Sequence, residues 1–425
     1  MGNPKSVSAQ EAISTIKPGS TIFIGESCGE PQTLVEALAE AKEQLKGTHI
    51  FEGICIAGSK YTKLYDYFHI VTLQVTPDNR DAVRTGKVDF LPVKLSESGT
   101  LFQASGLLPI DVALVQVSPP DGQGYCSLGV AVGCTLEAAL NARMVIAEVN
   151  KQMPRTYGRN QLHIERFDYL VETTSPLLPY LPPQIGEVEM AVATNVKELI
   201  NDGSVISFGI GAIPEAVMRS LSGKRNLGIH SGILNDYTVS LIEEKIITNE
   251  QKNIDRGKTV AALAWGTEKL FHFIDENPTV EMHPYSYTHD IKRMAELDNF
   301  AFIGSAVEID LTGQINAESI GNIQISAIGG QADFIRGAAL SKGGKGIIAL
   351  PSTTKNGKYS RIVAQFKEGT AISIPRYDVQ YVVTEYGIAE LWGKTLAQRM
   401  DALVSIAHPR FRDELHQASK GFAGG

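Results

Sequence analysis

The sequence predicts an α/β protein of two similar domains, each with a largely parallel sheet covered by helices. Three observations lead to this prediction. The chain has 425 residues, more than a single hydrophobic core usually supports. Its two halves share one internal repeat, and short apolar segments alternate with helical ones along both halves.

The internal repeat relates residues 16–38 to residues 200–221. Both copies contain a Gly-Ser turn, a short apolar segment and a glycine-containing loop. After a one-residue gap both continue with a proline, Pro31 or Pro214, and a helical stretch. This order of turn, strand, loop and helix is how an α/β unit begins. We therefore expect each half to start a domain of its own.

A connector at 175–186, SPLLPYLPPQIG, contains four prolines and separates the two halves. We predict an N-terminal domain at 1–187 and a C-terminal domain at 188–425. Further apolar segments predict strands at 112–117, 144–149, 301–303, 346–350 and 381–383. In mainly parallel sheets of this kind, ligands bind at the carboxyl ends of the strands.

Composition and charge exclude several classes of protein. The net charge of −8 argues against a nucleic-acid partner. No run approaches the ~20 apolar residues of a membrane span, and the first residues lack the apolar core of a signal peptide. The four cysteines have no CxxC spacing and no neighbouring histidine, which predicts reduced thiols, no bound metal and a cytoplasmic location.

The segment 326–353 predicts a binding site for a large anionic ligand. It combines Gly329-Gly330 with a turn that carries Lys342 and Lys345 and with an apolar strand. Glycine lets the backbone approach a bulky ligand and leaves N–H groups free to point at it, and lysine suits a phosphate. Glycine pairs also occur in ordinary tight turns, so the prediction depends on the combination.

A second glycine segment, GIGAIP at 209–214, follows a predicted strand and opens a predicted helix. The free N–H groups and positive dipole end of a helix start favour a phosphate or a developing oxyanion. Pro214 stands where a dinucleotide-binding fingerprint has its third glycine, so no Rossmann site is predicted. By itself such a segment is more often a tight turn between strand and helix, and its position at a predicted strand end is what favours a site.

Residues 25–29, GESCG, match the GxSxG pattern of a nucleophile elbow, with Ser27 as the nucleophile. The equivalent loop of the second half has no serine, and no earlier strand could supply an oxyanion hole. We therefore interpret these residues as a loop that faces its counterpart across a domain cleft.

The densest titratable patch lies at 281–290, EMHPYSYTHD, and includes His283 and His289. A catalytic site and a polar structural loop are both compatible with it. The sequence contains no HExxH helix, Walker A loop or His/carboxylate cluster at metal spacing, so no metal is predicted.

Five segments resemble one known family. They are VSPPDGQGYCSLGV at 117–130, GIGAIPEAV at 209–217, VEIDLTGQINAESIG at 307–321, GGQADFIRGAALSKGGKGIIALPST at 329–353 and VVTEYGIAELWGK at 382–394. With them the chain resembles the acetyl-CoA hydrolase/transferase group of class I CoA-transferases, particularly 4-hydroxybutyrate and butyryl CoA-transferases. The resemblance implies two NagB-like domains, an active site in the cleft between them, and a homodimer or homotetramer. It also implies coenzyme A or acyl-CoA as a substrate, not as a tightly bound cofactor.

The resemblance further implies a mechanism. In the family a glutamate attacks the acyl-CoA thioester, an acyl-glutamyl anhydride and then a glutamyl-CoA thioester form, and a second carboxylate takes the CoA. Backbone N–H groups near Ile210–Gly211 and Gly329–Gly330 would stabilise the oxyanion. The ligand-binding positions that the resemblance carries over are Gly209, Ile210, Gly211, Ile213, Pro214, Gly329, Gly330, Gln331, Lys342 and Lys345.

At the position of the family's glutamate this sequence has Gly232, within LGIHSGILND at 227–236. Glycine cannot be acylated, so three routes stay open. Glu26 in the facing loop or the nearby Asp236 could replace the nucleophile. CoA could pass directly between substrates, or water could attack and make the protein an acyl-CoA hydrolase. An unusual acyl acceptor could instead need the space. A non-catalytic CoA-binding protein is the remaining alternative.

Overall fold

The computed structural model describes residues 4–56, 60–103 and 105–422. These residues form two compact units. Unit 1 comprises the residues up to 181 together with 232–236 and 258–288, and unit 2 comprises 182–231, 237–257 and the residues from 289 onward. Two segments of the second half of the chain therefore fold with the first half. The predicted domain boundary after residue 187 concerns the linear order of the chain and stays a prediction.

Strands and helices alternate through the first half of the chain. In order, they are β1 Lys5–Ser6, α1 Ala9–Ser14, β2 Thr21–Ile24, α2 Gln32–Glu40, β3 His49–Glu52, β4 His69–Thr72, α3 Arg80–Arg84, β5 Val88–Phe90, α4 Leu95–Ser98, β6 Val112–Val117, β7 Tyr125–Ser127, α5 Thr135–Asn141, β8 Met144–Asn150, β9 Gln161–His163 and β10 Tyr169–Thr173. Short 3-10 turns lie at Ser27–Gly29, Lys60–Lys63, Gly99–Phe102 and Ile164–Arg166.

The same alternation continues after the proline-rich connector. The elements are α6 Glu187–Leu199, β11 Val205–Phe208, α7 Ala212–Ser220, β12 Gly228–Ile229, β13 Ile233–Leu234, α8 Asp236–Glu243, β14 Thr259–Ala261, β15 Leu263–Ala264, α9 Glu268–Ile274, β16 Val280–Met282, α10 Tyr285–Thr288, α11 Ile291–Glu296, β17 Phe300–Gly304, β18 Glu308–Asp310, β19 Ile315–Asn316, β20 Ser319–Ile320, β21 Ile323–Gln324, α12 Gln331–Leu340, β22 Lys345–Ala349, β23 Ile362–Val363, β24 Tyr381–Thr384, β25 Gly387–Glu390, α13 Leu396–Ser405 and α14 Pro409–Phe422.

Unit 1 is built on an eight-stranded sheet in the order β1-β10-β8-β6-β2-β3-β4-β5, and all of its neighbouring strands are parallel. The central strand β6, VALVQV, is buried along its whole length, as expected for a parallel sheet covered on both faces. Its one polar side chain, Gln116, donates to the Glu30 carbonyl oxygen at 2.7 Å and accepts from the Asn150 amide at 2.6 Å. These bonds compensate for its burial.

Unit 2 is built on a six-stranded sheet in the order β12-β11-β17-β22-β24-β25. Its strands are parallel except for the edge pair β24–β25, which is antiparallel. The internal repeat of the sequence corresponds to β2 and α2 in unit 1 and to β11 and α7 in unit 2.

The prediction of an α/β protein with largely parallel sheets is confirmed. The predicted strands 112–117, 144–149, 301–303, 346–350 and 381–383 coincide within one residue at each end with β6, β8, β17, β22 and β24. Their continuous apolar runs are typical of strands covered on both faces. Among the helices of the described residues, none combines the length and apolarity needed to cross a bilayer.

Candidate active site

In unit 2 the segment 209–211 leads from the carboxyl end of β11 into α7. The Gly209 N–H donates to the Ile303 carbonyl oxygen at 2.9 Å. Gly211 has a φ of +115°, and nothing lies within 4 Å of the position that a Cβ would take there. No side chain caps the start of α7, so its first N–H groups are available to a ligand.

The second glycine segment opens α12 at the same edge of the sheet. Gly329 has a φ of +56°, and Gly330 precedes a helix start that no side chain caps. The Gln331 amide donates to the Ser305 carbonyl oxygen at 3.0 Å. Ser305 directly follows β17, the neighbour of β11, so the two glycine segments lie at the carboxyl ends of adjacent strands. This is the usual ligand position in such sheets.

Residue 330 requires a glycine because a histidine side chain occupies the space of a Cβ, and not because of its φ. Its φ is −91°, which any residue can adopt. A Cβ at this position would overlap Nε2 and Cδ2 of His289, whose ring packs against the backbone there. The His289 ring also lies 4.5 Å from the Phe334 ring, between centroids. Burial lowers the pKa of His289 to about 3, so the imidazole beside the glycine segment is neutral at ordinary pH.

Lys342 and Lys345 lie at the opposite edge of the sheet of unit 2. Lys345 begins β22 and pairs with Ala301 near the amino end of β17. The ten residues of α12, about 15 Å of helix, separate these lysines from Gly329-Gly330. The Lys345 ammonium donates to the Leu199 carbonyl oxygen at 2.7 Å. The structure therefore does not bring the two lysines to the glycine segments, and their predicted contact with the ligand stays a prediction.

In unit 1 the loop after β2 holds Glu26 as a buried carboxyl group. Its Oε1 accepts from the Cys134 N–H at 2.7 Å, and its Oε2 accepts from the Tyr285 hydroxyl at 3.0 Å. A Cβ at Gly53 would lie 2.7 Å from Oε2, and a Cβ at Gly133 would overlap Oε1. Burial raises the pKa of Glu26, although these hydrogen bonds oppose the rise.

Gly232 and Glu26 belong to one hydrogen-bonded region of unit 1. The Gly232 carbonyl oxygen accepts from the N–H groups of Ala262 and Leu263 at 3.3 and 3.1 Å. The Ala262 carbonyl oxygen accepts from the Gly133 N–H at 3.4 Å, next to the Cys134 N–H that binds Glu26. Gly232 is half-buried and does not have the positive φ that would require glycine. Gly232 and Glu26 are thus linked through the backbone of Ala262, Gly133 and Cys134, and a shared catalytic role for them stays a prediction.

Asp236 binds the start of α9. Its Oδ1 accepts from the Thr267 N–H at 3.0 Å and from the Leu270 N–H at 3.2 Å. A carboxylate at this place neutralises unpaired N–H groups and the positive end of the helix dipole. The geometry gives Asp236 a structural task, and its use as a replacement nucleophile stays a prediction without support from these contacts.

Ser27 has the left-handed φ of +59° that is rare for a residue other than glycine. It is buried, and its N–H donates to the Ile54 carbonyl oxygen at 2.7 Å. Within the described residues no histidine hydrogen-bonds to the Ser27 hydroxyl. The arrangement therefore lacks the base that would activate a serine nucleophile.

The partners of Glu26 were missed by sequence reasoning. Cys134 and Tyr285 lie 108 and 259 residues from it along the chain, and no local pattern links such distant positions. Tyr285 and His289 do lie in the titratable patch 281–290, although His289 was only one of its several polar residues.

Arg361 is a further charged group that the sequence did not single out. Its Nη1 donates to the Ala306 carbonyl oxygen at 3.2 Å, one residue beyond the Ser305 carbonyl that Gln331 binds. Burial lowers its pKa, while the charges of Glu189 and Glu385 raise it. The guanidinium thus lies near the start of α12 in an acidic surrounding. In the part of the chain that the structure describes, no three His, Cys, Asp or Glu side chains cluster closely enough to hold a metal ion.

Two protein-family models match this chain. The model of the acetyl-CoA hydrolase/transferase N-terminal domain matches residues 3–182, and the model of the acetyl-CoA hydrolase/transferase C-terminal domain matches residues 266–419. The chain belongs to the acetyl-CoA hydrolase/transferase family. The resemblance inferred from the five sequence segments is thereby confirmed.

Relatives of this acetyl-CoA hydrolase/transferase family member match over nearly their full length. The 4-hydroxybutyrate coenzyme A transferase of Clostridium kluyveri is 46% identical over 97% of this chain and 96% of its own. The butyryl-CoA:acetate CoA-transferase of Anaerostipes caccae is 36% identical over 96% of this chain and 94% of its own. The crystal structure of RipA from Yersinia pestis is 32% identical, covers 99% of this chain and 98% of its own, and superposes with a TM-score of 0.93. The prediction that the chain is an enzyme of this family is confirmed.

Proposed function

We propose that this protein transfers coenzyme A between a small acyl-CoA and a carboxylic acid of the 4-hydroxybutyrate, butyrate or acetate type. The observation that carries the proposal is the 46% identity, over nearly the whole chain, to a 4-hydroxybutyrate coenzyme A transferase. The acid itself is taken from the names of the relatives, so a panel of short-chain acids is needed to identify it.

The two glycine segments of unit 2 support a role in binding the thioester. The starts of α7 and α12 lie at the same sheet edge, and neither has a side-chain cap. N–H groups near Ile210–Gly211 and Gly329–Gly330 would donate to the oxygen that becomes negatively charged when the thioester is attacked. In this proposal acyl-CoA is a substrate that enters and leaves, and no tightly bound cofactor takes part.

The nucleophile is the open part of the mechanism, because we assign Gly232 to the position of the family's glutamate. Glu26 is buried and both of its oxygens accept hydrogen bonds. The carboxylate of Asp236 is bound at the start of α9. Since neither carboxylate is free, we favour direct transfer between the substrates over an acyl-enzyme.

In the direct route the acceptor carboxylate attacks the thioester carbonyl of the acyl-CoA. The C–S bond breaks, CoA leaves as a thiolate, and a mixed anhydride of the two acids forms. The thiolate then attacks the carbonyl that came from the acceptor, which gives the new acyl-CoA and releases the donor acid as a carboxylate. No net proton, electron or water is consumed. This route needs no carboxylate from the protein, which is compatible with a glycine at residue 232.

Initial-rate kinetics test this route. Butyryl-CoA with acetate should yield acetyl-CoA, and double-reciprocal plots at several acetate concentrations should intersect, because both substrates must be bound together. Parallel lines would contradict the direct route and indicate a covalent intermediate, with Glu26 as the first candidate. No turnover with a broad panel of acyl-CoA thioesters and acids would leave a non-catalytic CoA-binding protein.

Acyl-CoA hydrolysis is the second candidate function. It is favoured by the partial exposure of Gly232, since water could occupy the space that a glutamate side chain would fill. Hydrolysis predicts free CoA at the same rate with and without an added acid. Acetyl-CoA as the main product would count against it.

Gly232→Glu provides a test of the assigned position. The backbone at residue 232 does not have a positive φ, so its conformation is one that a glutamate can adopt. We expect the variant to change from intersecting to parallel plots and to carry a covalent CoA thioester that intact-mass spectrometry detects. Gly232→Ala is the matched control, because it adds a Cβ without a carboxyl group and should form no adduct. Intersecting plots and no adduct in Gly232→Glu would contradict the assignment.

We also propose that the protein works in the cytoplasm as a homodimer or homotetramer. The location is supported by four buried cysteines that form no disulfide, as is usual in a reducing compartment. The assembly is inferred from the family resemblance alone. Light scattering coupled to size-exclusion chromatography would measure it directly.

A further inference from the structure

The segment Gly329-Gly330 contains two glycines for two different reasons. Gly329 has a φ of +56°, which favours glycine whatever its neighbours are. Gly330 has an ordinary φ of −91°, and its missing side chain instead makes room for the imidazole of His289. The histidine therefore lies against the backbone at the residue that precedes α12.

His289 is itself held from the other side. It is 2% exposed, and its ring packs on Phe334, which is 3% exposed and lies in the first turn of α12. The Phe334 N–H donates to the Gly330 carbonyl oxygen at 3.0 Å. The imidazole thus contacts both the residue that opens the helix and a side chain of its first turn, so a shift of the ring would shift the start of α12.

The chemistry of the imidazole suits a group that holds a backbone in place. In its buried setting it carries no charge, so it adds rigid, polar volume beside the helix start without competing for the negative charge that develops on a substrate. A flexible side chain of the same size would hold the backbone less rigidly. A charged one would be costly to bury and would interact with the charge on the substrate.

We propose that His289 is a positioning residue that fixes the backbone N–H groups of Gly329-Gly330 and of the start of α12 in the direction needed to stabilise the thioester oxygen. The catalytic consequence of this positioning rests on the proposed function. The positioning itself is a property of unit 2 and can be measured without turnover.

His289→Ala tests the proposal with two readouts. We expect the kcat for CoA transfer to fall by about 100-fold with the KM for acyl-CoA nearly unchanged, because a small misplacement of oxyanion donors acts on the transition state. We also expect hydrogen–deuterium exchange in peptides covering 326–334 to become at least tenfold faster. His416→Ala, a substitution of an exposed histidine in α14, is the matched control.

Gly330→Ala adds a compensating pair. The new methyl group should overlap the His289 ring and lower the melting temperature. In Gly330→Ala/His289→Ala that overlap is removed, so the melting temperature should fall by less than the sum of the two single losses, while kcat stays low. Gly122→Ala is the control, since nothing lies within 4 Å of a Cβ at that position.

The outcomes separate this proposal from the proposed function. Unchanged exchange at 326–334 in His289→Ala would overturn the positioning role, whatever the turnover. Faster exchange with an unchanged kcat would overturn its catalytic consequence, and recovery of kcat in the double variant would do the same. Absence of CoA transfer in the unmodified protein would instead refute the proposed function, and the exchange measurement would still decide whether His289 holds the segment.

Discussion

At the residue scale, the surroundings of Glu26 are built to hold a buried carboxyl group. Gly53 and Gly133 leave the space for it, and Cys134 and Tyr285 supply its two hydrogen bonds. These donors keep the group in place, yet burial still makes its ionisation unfavourable. Such a carboxyl group should respond to pH through the stability of the protein.

Relative to the unmodified protein, Glu26→Gln should become more stable as pH rises. The pKa of Glu26 is raised above 4.5 in the folded state, so the folded protein keeps a proton that the unfolded chain releases. Stability associated with this group is therefore complete below 4.5 and is lost as pH rises through the raised pKa. Glutamine does not titrate. Melting temperatures measured from pH 5 to pH 8 should show the variant gaining on the unmodified protein.

Glu250→Gln is the control for this measurement, because Glu250 is exposed. Its melting temperature should differ from that of the unmodified protein by a constant amount. A constant difference for Glu26→Gln as well would mean that burial does not shift the ionisation of Glu26.

At the scale of elements, some residues that are close in sequence lie far apart in the fold, and some segments that are distant in sequence lie in contact. Gly329-Gly330 and Lys345 lie close in sequence, but α12 carries the chain from the carboxyl edge to the amino edge of the sheet. Asp236 begins α8 and binds the start of α9, which lies about thirty residues further along the chain. The role of Asp236 therefore follows from its contacts with the start of α9. Its closeness to Gly232 in sequence does not indicate that role.

Asp236→Asn and Asp236→Ala distinguish a helix cap from a nucleophile. Asparagine keeps an oxygen acceptor for the N–H groups of Thr267 and Leu270, whereas alanine removes it. We expect Asp236→Ala to lower the free energy of unfolding by about 1 kcal/mol and Asp236→Asn to lower it by less. Activity per folded molecule should be retained in the asparagine variant. Its complete loss there, with an unchanged denaturation curve, would make Asp236 the nucleophile.

At the scale of the whole molecule, the thiol groups of the chain are buried, and all of them lie in unit 1. All four cysteines are buried and none forms a disulfide, and burial raises the pKa of Cys28 and of Cys126 to about 12. Thiolate, the reactive form, is therefore scarce in the folded protein. These cysteines behave as small apolar residues of the core.

The folded protein should react very slowly with a disulfide reagent such as dithionitrobenzoate at neutral pH. After unfolding in guanidinium chloride all four thiols should react at once, because their burial is lost. Absorbance of the released thionitrobenzoate measures both rates. Rapid reaction of one equivalent in the native protein would identify an accessible thiol and contradict the burial of the set.

The fold was predictable because its signals are local. The continuous apolar run of β6, the Gly-Ser turns before β2 and β11, and the proline-rich connector each depend on residues near one another in sequence. The position of Gly209–Gly211 at a strand end was predictable for the same reason, whereas the contact of Gln331 with Ser305, 26 residues away, places Gly329-Gly330 beside the end of β17. Periodicity and turn chemistry act over a few residues, and the order of strands and helices follows from them.

By itself, the sequence determined the α/β class, the internal repeat, the family and the glycine at residue 232. Only the tertiary structure decided which groups act on one another. It joined Glu26 to Tyr285 over 259 residues, packed His289 on Gly330, and left Lys345 at the far edge of its sheet. The physical reason is that hydrogen bonds and ring contacts need proximity in space. Which distant residues become neighbours depends on the path of the whole chain between them, and no short segment determines that path.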